Sequence, residues 1–193
     1  MEVLVPGSPE LSPLFAYYAT RYDRGSADSE GNLFLDDALS ALEAKGICRA
    51  SLHAPAFTRE GAATRPSAAA YADAETRRLA RRGLQKRYVE ASGASRSAWI
   101  REQLNQERPA LIGFRLPVTY PESFLNENAE WLDPERFDAS ASGHCVLGLG
   151  YSDARRAIHV QDSRGARFEQ GRWWMGYRVI DSPLCQHVYA LIS

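Results

Sequence analysis

Two polar side chains on neighbouring predicted strands are the residues best suited to chemistry. His144 lies in the run GHCVLGLGYSD at 143–153, at the start of an apolar strand that follows a polar loop. A hairpin that turns at Ser152–Arg156 and returns through Ala157–Gln161 brings Asp162 beside His144. Its side chain can then accept a hydrogen bond from one ring nitrogen and fix the tautomer, which leaves the other nitrogen for proton transfer. A structural histidine and a capping aspartate are the alternative interpretations.

The cysteines give no sign of a metal centre or of a disulfide framework. There are three, Cys48, Cys145 and Cys185, and they are widely spaced and odd in number. Since no CxxC pair occurs, neither a zinc site nor a dithiol redox site is supported. We therefore expect neither a metal nor a cofactor.

Composition narrows the class of protein. The 193 residues are 45% hydrophobic and 24% charged, with a formal net charge of −1, which is typical of a globular protein. This charge gives no general reason to expect nucleic acid or a membrane surface as partner. Residues 1–10 lack the features of a secretory signal, and no apolar run is long enough to span a bilayer. The expected location is cytoplasmic.

The first half of the sequence predicts helices. Ser12 is a capping residue and Pro13 suits a first helical position, and glycine at 46 suits a helix end. Four helices are predicted. The first begins at Ser12-Pro13, the second runs from about Leu33 to Lys45, the third from Ala68 to about Arg82, and the fourth from Ser95 to before Pro109. The third could present Arg77, Arg78, Arg81 and Arg82 as a basic face, although such a run is usually only solvated. Residues 48–67 are expected to be irregular.

The second half predicts strands. They are expected at 84–90, 110–116, 144–151, 157–161, 172–180 and 187–192, with a long surface loop at 117–142. Helices followed by antiparallel strands indicate an α+β fold. We place a helical part at 1–108 and an antiparallel β part, which carries the His/Asp pair, at 109–193, as one compact unit sharing a cleft.

Six segments of the chain resemble the papain-like cysteine peptidases, in particular their bacterial branch. The segments GHCVLGLGYSD at 143–153, DSRG at 162–165 and GRWWMGYRVI at 171–180 resemble the family patterns GHAVLLVGYDD, NSWG and WG..GYFWLPY. LSPLFAYYATR at 11–21 and the run from Leu35 to Cys48 resemble the helices that follow the catalytic helix. ERPALIGF at 107–114 resembles the strand that enters the second lobe. The resemblance implies a two-lobed papain-like fold with a helical N-terminal part and an antiparallel, β-barrel-like C-terminal part. It places His144 and Asp162 where the family has the catalytic histidine and its asparagine.

The nucleophile that the resemblance requires is not found in its usual place. Papain-like enzymes carry the cysteine at the start of a central helix, well before the histidine, yet no cysteine precedes Cys48. The resemblance implies that the segment with this helix and the oxyanion glutamine is missing. Arg164 takes the place of the tryptophan that shields the pair, which should open the pair to water.

Three functions fit this pattern. The first is a catalytically inactive papain-like protein that binds a protein partner, or itself, through the surface that the missing helix leaves. The second is a cysteine peptidase subunit whose nucleophile lies on a separate or processed chain. The third is a structural subunit of an assembly, for which the four arginines could form a docking face. We expect no peptidase activity in this chain by itself, with His144 and Asp162 as a vestigial or half site.

Overall fold

The computed structural model describes residues 8–27, 31, 33–89, 95–117, 129–134, 139–163 and 170–192. The chain forms two compact units, Met1–Gln85 with Ser193 and Lys86–Ile192. The sequence boundary proposed between 108 and 109 stays a prediction. The division at 85/86 places the helix Ser95–Asn105 with the strands, and that helix packs against two of them.

The described residues of the first unit form four α-helices. They are α1 (Pro13–Asp23), α2 (Leu35–Lys45), α3 (Arg59–Ala63) and α4 (Ala68–Glu75), with a short 3-10 turn at Ala50–Leu52 and another at Ala80–Arg82. The Ser12 hydroxyl caps α1 by accepting a hydrogen bond from the Phe15 N–H at 3.1 Å, as its sequence position predicts. The segment 48–67, expected to be irregular, contains the short helix α3.

Glycine ends α2 for a steric reason. Gly46 has φ +76°, and a Cβ there would meet the carbonyl oxygen of Ala74 at 2.0 Å. Only glycine combines this backbone angle with such a close approach to α4. The core of the unit lies around this contact, and it consists of Phe15, Ala19, Cys48, Ala70 and Ala74.

The predicted basic face on one helix is wrong, because α4 ends at Glu75, before the first of the four arginines. Arg77 folds back on the helix end, where it donates to the carbonyl of Asp73 at 2.9 Å and to its carboxylate at 2.7 Å. Arg81 pairs with Glu75 at 2.8 Å, and Arg78 donates to the carbonyl of Glu43. These ion pairs and hydrogen bonds neutralise much of the charge run within the unit.

One buried histidine makes the first unit sensitive to acid. His53 is 7% exposed, lies edge-on to Phe15, and has no hydrogen-bond partner for Nε2 among the described residues. Burial lowers the pKa of His53 from its ordinary 6.5. The unfolded chain therefore binds a proton more readily than the folded chain, so stability is present above pH 6.5 and is lost as pH falls below it.

We expect His53→Phe to remove this loss. Between pH 7.5 and 5, wild type should lose stability faster than the variant, by at most about 1.4 kcal/mol per pH unit, the limit for one proton. Amide hydrogen exchange of α1 measures the effect. His187→Phe, at an exposed position of the other unit, serves as the control. An equal pH dependence in wild type and His53→Phe would show that His53 is not the sensitive group.

The second unit is built on a seven-stranded sheet. Its strands are β1 (Gln85–Tyr88), β2 (Ala110–Pro117), β3 (Glu130–Trp131), β4 (Ala139–Ser152), β5 (Ala157–Gln161), β6 (Arg172–Gly176) and β7 (Cys185–Ile192). The order across the sheet is β1-β7-β2-β4-β5-β6-β3. The helices α5 (Ser95–Asn105) and α6 (Tyr177–Ile180) complete the unit.

Three predictions for the second half of the sequence need correction. The segment 172–180 is not one strand, because β6 ends at Gly176 and α6 follows. A Cβ at Gly176 would meet the Leu132 carbonyl oxygen at 2.7 Å, so the chain passes close to the segment after β3 and turns there. Within 117–142, expected to be a loop, β3 forms and β4 begins at Ala139. The strands are also not all antiparallel, since β3 pairs with β6 in parallel.

The core of the second unit lies on one face of the sheet. Ile112 and Phe114 of β2 point to this face, and Val146 of β4 pairs with Ile112. Because side chains alternate along a strand, His144, two residues before Val146, projects to the same face. The sheet therefore places the candidate catalytic histidine at the edge of the apolar core. Among the described residues, no helix has the length and hydropathy needed to cross a membrane.

Candidate active site

The hairpin β4–β5 brings His144 and Asp162 together. Leu147 pairs with Gln161, so Asp162 follows directly after the last paired residue of β5. The position opposite Asp162 is Val146. His144 lies two residues before Val146 and therefore on the same face of the sheet. The turn at 153–156 joins the two strands, so the predicted hairpin is confirmed.

The two side chains are in hydrogen-bond contact. His144 Nε2 lies 3.0 Å from Asp162 Oδ1, and the side chains are 17% and 4% exposed respectively. The imidazole is therefore partly accessible while its carboxylate partner is buried. Since Nε2 is used by Asp162, proton exchange with a reacting group would fall to Nδ1. Whether these two residues act in catalysis stays a prediction.

Aromatic side chains form the inner wall of the pair. The ring of Phe114 meets His144 edge-on, with centroids 5.8 Å apart, and meets Trp173 in the same way at 6.2 Å. Trp173 is 1% exposed, and its indole Nε1 donates to Asp162 Oδ2 at 3.3 Å. Trp131 also packs on Phe114, at 5.7 Å. The pair thus rests on an apolar wall that also supplies a polar contact.

Sequence reasoning missed the role of Trp173. The structure pairs Trp173 of β6 with Val160 of β5, two residues before Asp162. Residues at such a diagonal are within reach of a large aromatic side chain on the same face. Sequence alone offered no basis for choosing between Trp173 and Trp174. The register decides it, because Trp174 stacks on His159 instead, at 4.6 Å.

Arg164 is expected to open the pair to water. Arg164 and Gly165 both lie outside the described part of the chain. What the described residues show is a carboxylate well removed from solvent, since Asp162 as a whole is only 5% exposed. Trp173 covers it from the core side. A buried hydrogen bond to an ionised group is stronger than one in water, so the contact orients His144 effectively.

None of the three cysteines is placed or tuned to be a nucleophile. Cys48 and Cys185 are buried, and Cys145 projects to the sheet face opposite His144. Burial raises the pKa of the Cys48 thiol to about 11, and it raises the pKa values of the Cys145 and Cys185 thiols to about 12. All three are therefore protonated near neutral pH, whereas a catalytic cysteine needs a thiolate.

We expect these thiols to resist alkylation in the folded protein. At pH 8 each should react with iodoacetamide at least about tenfold more slowly than an exposed cysteine, because the thiolate fraction is small and access is limited. Peptide mass spectrometry measures labelling at each site, and the same protein in urea is the control. Rapid labelling of one cysteine in the folded chain would contradict the assignment of these thiols as unreactive.

The described residues hold no group of three His, Cys, Asp or Glu side chains placed to bind a metal ion. The pair His144–Asp162 has the form of a general acid–base arrangement. It can take a proton from a nearby nucleophile and return it to a leaving group, provided that the nucleophile approaches the Nδ1 side of the imidazole.

Solved structures with the same architecture are cysteine proteases. Over 96% of its length the chain superimposes on 72% of xylellain, a cysteine protease from Xylella fastidiosa, with a TM-score of 0.77 and 24% sequence identity. The chain has the papain-like fold. No family model and no curated protein matches the sequence.

Two more distant structures show the same papain-like fold. The chain matches digestive procathepsin L 3 of Tenebrio molitor larval midgut with a TM-score of 0.60 and 15% identity, covering 94% of this chain and 55% of that one. It matches the clostridial cysteine protease Cwp84 after propeptide cleavage with a TM-score of 0.61 and 16% identity, covering 97% and 48%. The chain therefore spans about half the length of these two proteins. The α+β papain-like fold expected from the six sequence segments is confirmed.

Proposed function

We propose that this chain supplies the imidazole–carboxylate half of a cysteine peptidase site. In this proposal His144 is the general base and acid, Asp162 orients it, and the nucleophilic cysteine lies outside these 193 residues, on a separate or processed chain. The observation that carries the proposal is the 3.0 Å contact between His144 Nε2 and the buried carboxylate of Asp162. The papain-like fold supports it, because cysteine proteases share this fold.

The geometry suits the chemistry of a thiol nucleophile. A cysteine attacks a peptide carbonyl only as a thiolate, so a neighbouring base must accept its proton and later protonate the leaving amine. An imidazole does both when one of its nitrogens is held by a carboxylate. Asp162 provides that hold from within the protein, while His144 stays partly accessible.

The chain by itself should have no peptidase activity. Its own thiols are protonated near neutral pH because burial raises their pKa values, and Cys145, although adjacent to His144 in sequence, projects to the other face of the sheet. A cytoplasmic location belongs to the same proposal, since the free thiols of Cys48, Cys145 and Cys185 suit a reducing compartment. Cell fractionation checks this location.

A second candidate is a papain-like protein without catalytic function that binds a protein partner or itself. Exposed aromatic side chains in the first unit favour this candidate. Phe57 is 80% exposed, Phe34 is 65% exposed and Tyr22 is 53% exposed. Large aromatic residues are enriched at protein interfaces. In this case the fold serves assembly and His144 is dispensable.

Peptide cleavage distinguishes the two candidates. The purified chain and the complex isolated from its own cells under native conditions are each incubated with fluorogenic peptides. The first candidate predicts no cleavage by the chain alone and cleavage by the complex that a thiol-directed inhibitor stops. A complex that is assembled but inert toward peptides of varied sequence supports the second candidate and contradicts the first.

A further inference from the structure

Each carboxylate oxygen of Asp162 meets a ring nitrogen on a neighbouring strand. Oδ1 lies 3.0 Å from His144 Nε2, and Oδ2 accepts from Trp173 Nε1 at 3.3 Å. Because the Asp162 side chain is only 4% exposed, water cannot readily replace either contact. His144 and Trp173 therefore constrain which hydrogen-bonding groups the side chain at position 162 can present.

Trp173 restricts what residue 162 can be. An indole N–H is a donor and never an acceptor, so the atom that faces it must accept. An ionised carboxylate presents acceptors to both neighbours. An asparagine has one carbonyl oxygen and one NH2 group, so with its oxygen turned to the indole its NH2 group faces Nε2 of His144. It then donates to Nε2 and favours the Nδ1–H tautomer.

The same contacts determine where the imidazole proton lies. An ionised carboxylate can only accept a hydrogen bond, so the proton between Nε2 and Oδ1 resides on Nε2. A neutral His144 with its proton on Nε2 has its lone pair on Nδ1. Fixing residue 162 as an ionised acceptor therefore fixes the tautomer of His144.

We infer that Trp173 is a positioning residue, which acts through an ionised Asp162 to hold His144 in the Nε2–H tautomer. Asp162 and Trp173 form a matched pair, so that asparagine at position 162 supports the Nε2–H tautomer only when the indole donor is removed. The inference rests on the proposed function in one respect, namely that the Nδ1 lone pair is the one that would take the proton of the nucleophile.

A double-mutant cycle on the chain alone tests the matched pair. The variants are Asp162→Asn, Trp173→Phe and the two combined, and 15N shifts of the labelled His144 imidazole report the ratio of the two tautomers. Phenylalanine keeps an aromatic ring against Phe114 and removes the donor. Wild type and Trp173→Phe should hold the Nε2–H form, because Asp162 accepts from Nε2 in both.

Asp162→Asn should lower the tautomer ratio at least about tenfold, which corresponds to about 1.4 kcal/mol. The combined variant should recover most of that loss, because the asparagine side chain is then free to turn its carbonyl toward Nε2. A wild-type ratio in Asp162→Asn, or no recovery in the combined variant, would overturn the inference. If Asp162→Asn does not fold, folding of the combined variant shows the expected recovery. If neither variant folds, the matched pair is overturned.

The outcome does not depend on peptide cleavage, since the chain is measured without a nucleophile. If the cycle shows the expected recovery while the native complex cleaves no peptide, the matched pair stands and the proposed function fails. If the complex cleaves peptides but the cycle shows no recovery, the proposed function stands and Trp173 is only a packing residue.

Discussion

Replacing His144 by alanine abolishes peptide cleavage by the complex of this chain with the polypeptide that carries the nucleophile, and it leaves the complex assembled. Without an imidazole no group takes the thiol proton or protonates the leaving amine. General acid–base catalysis contributes about 100-fold to 10,000-fold to a rate. Since the nucleophile also loses its activating base, we expect kcat to fall by at least about 1,000-fold. Assays with a fluorogenic peptide measure the rate, and light scattering measures assembly.

His187→Ala is the matched control for this loss. His187 is exposed on β7 and contacts the rings of Tyr88 and Tyr189, not the Asp162 pair. It should leave cleavage and assembly unchanged. Undiminished cleavage by the His144→Ala complex would remove His144 from the mechanism, and with it the half-site interpretation.

Phe114→Ala lowers the free energy of unfolding of the second unit by about 3–5 kcal/mol. Phe114 is 2% exposed, and its ring contacts His144, Trp131 and Trp173. Truncation removes apolar contacts with all three neighbours and leaves a cavity that a sheet core cannot easily close. Urea denaturation followed by tryptophan fluorescence measures the loss, because all four tryptophans lie between residues 99 and 174 of this unit.

Leu132→Ala provides the comparison within the same unit. Leu132 is 38% exposed, so its truncation should cost less than about 1 kcal/mol. Equal losses for the two variants would mean that the aromatic wall beneath the pair contributes no more to stability than a partly exposed side chain does.

The sequence predicted the pair but not its surroundings. The hairpin could be predicted because strand periodicity and a short polar turn mark it locally. Its register could not, because a β-bulge between Gly148 and Gly150 shifts the pairing by one residue, and this shift places Asp162 on the same face as His144. Trp173 belongs to a third strand, and residues 164–169 intervene before it. Nothing local to Trp173 or Trp174 says which of them faces the core, since that depends on pairing with β5.

The short elements were missed for a related reason. The helix α6 and the strand β3 are four and two residues long, too short to show a period in the sequence. Their cause is a close approach of two backbones at Gly176, which only the tertiary structure reveals. Conversely, α4 is shorter than its alanine-rich sequence predicts, because Arg77 caps the chain at Asp73. Tertiary and side-chain contacts override propensity at both places.

The papain-like fold alone does not decide between a peptidase half-site and a binding protein, because one fold can serve several functions. The arrangement around one carboxylate supports the proposed half-site. Asp162 is buried, and both of its oxygens meet donors. A buried charge is costly unless it is paired, so the arrangement contributes to stability only as a unit.

Labelling of the native complex with a thiol-directed peptide electrophile tests the central claim most directly. Mass spectrometry identifies the labelled cysteine, and the experiment is repeated with His144→Ala. We predict one labelled cysteine, outside these 193 residues and at the start of an apolar helix, with labelling lost in the variant. Labelling of Cys48, Cys145 or Cys185, or labelling that does not depend on His144, would contradict the assignment of this chain as the general-base half of a peptidase site.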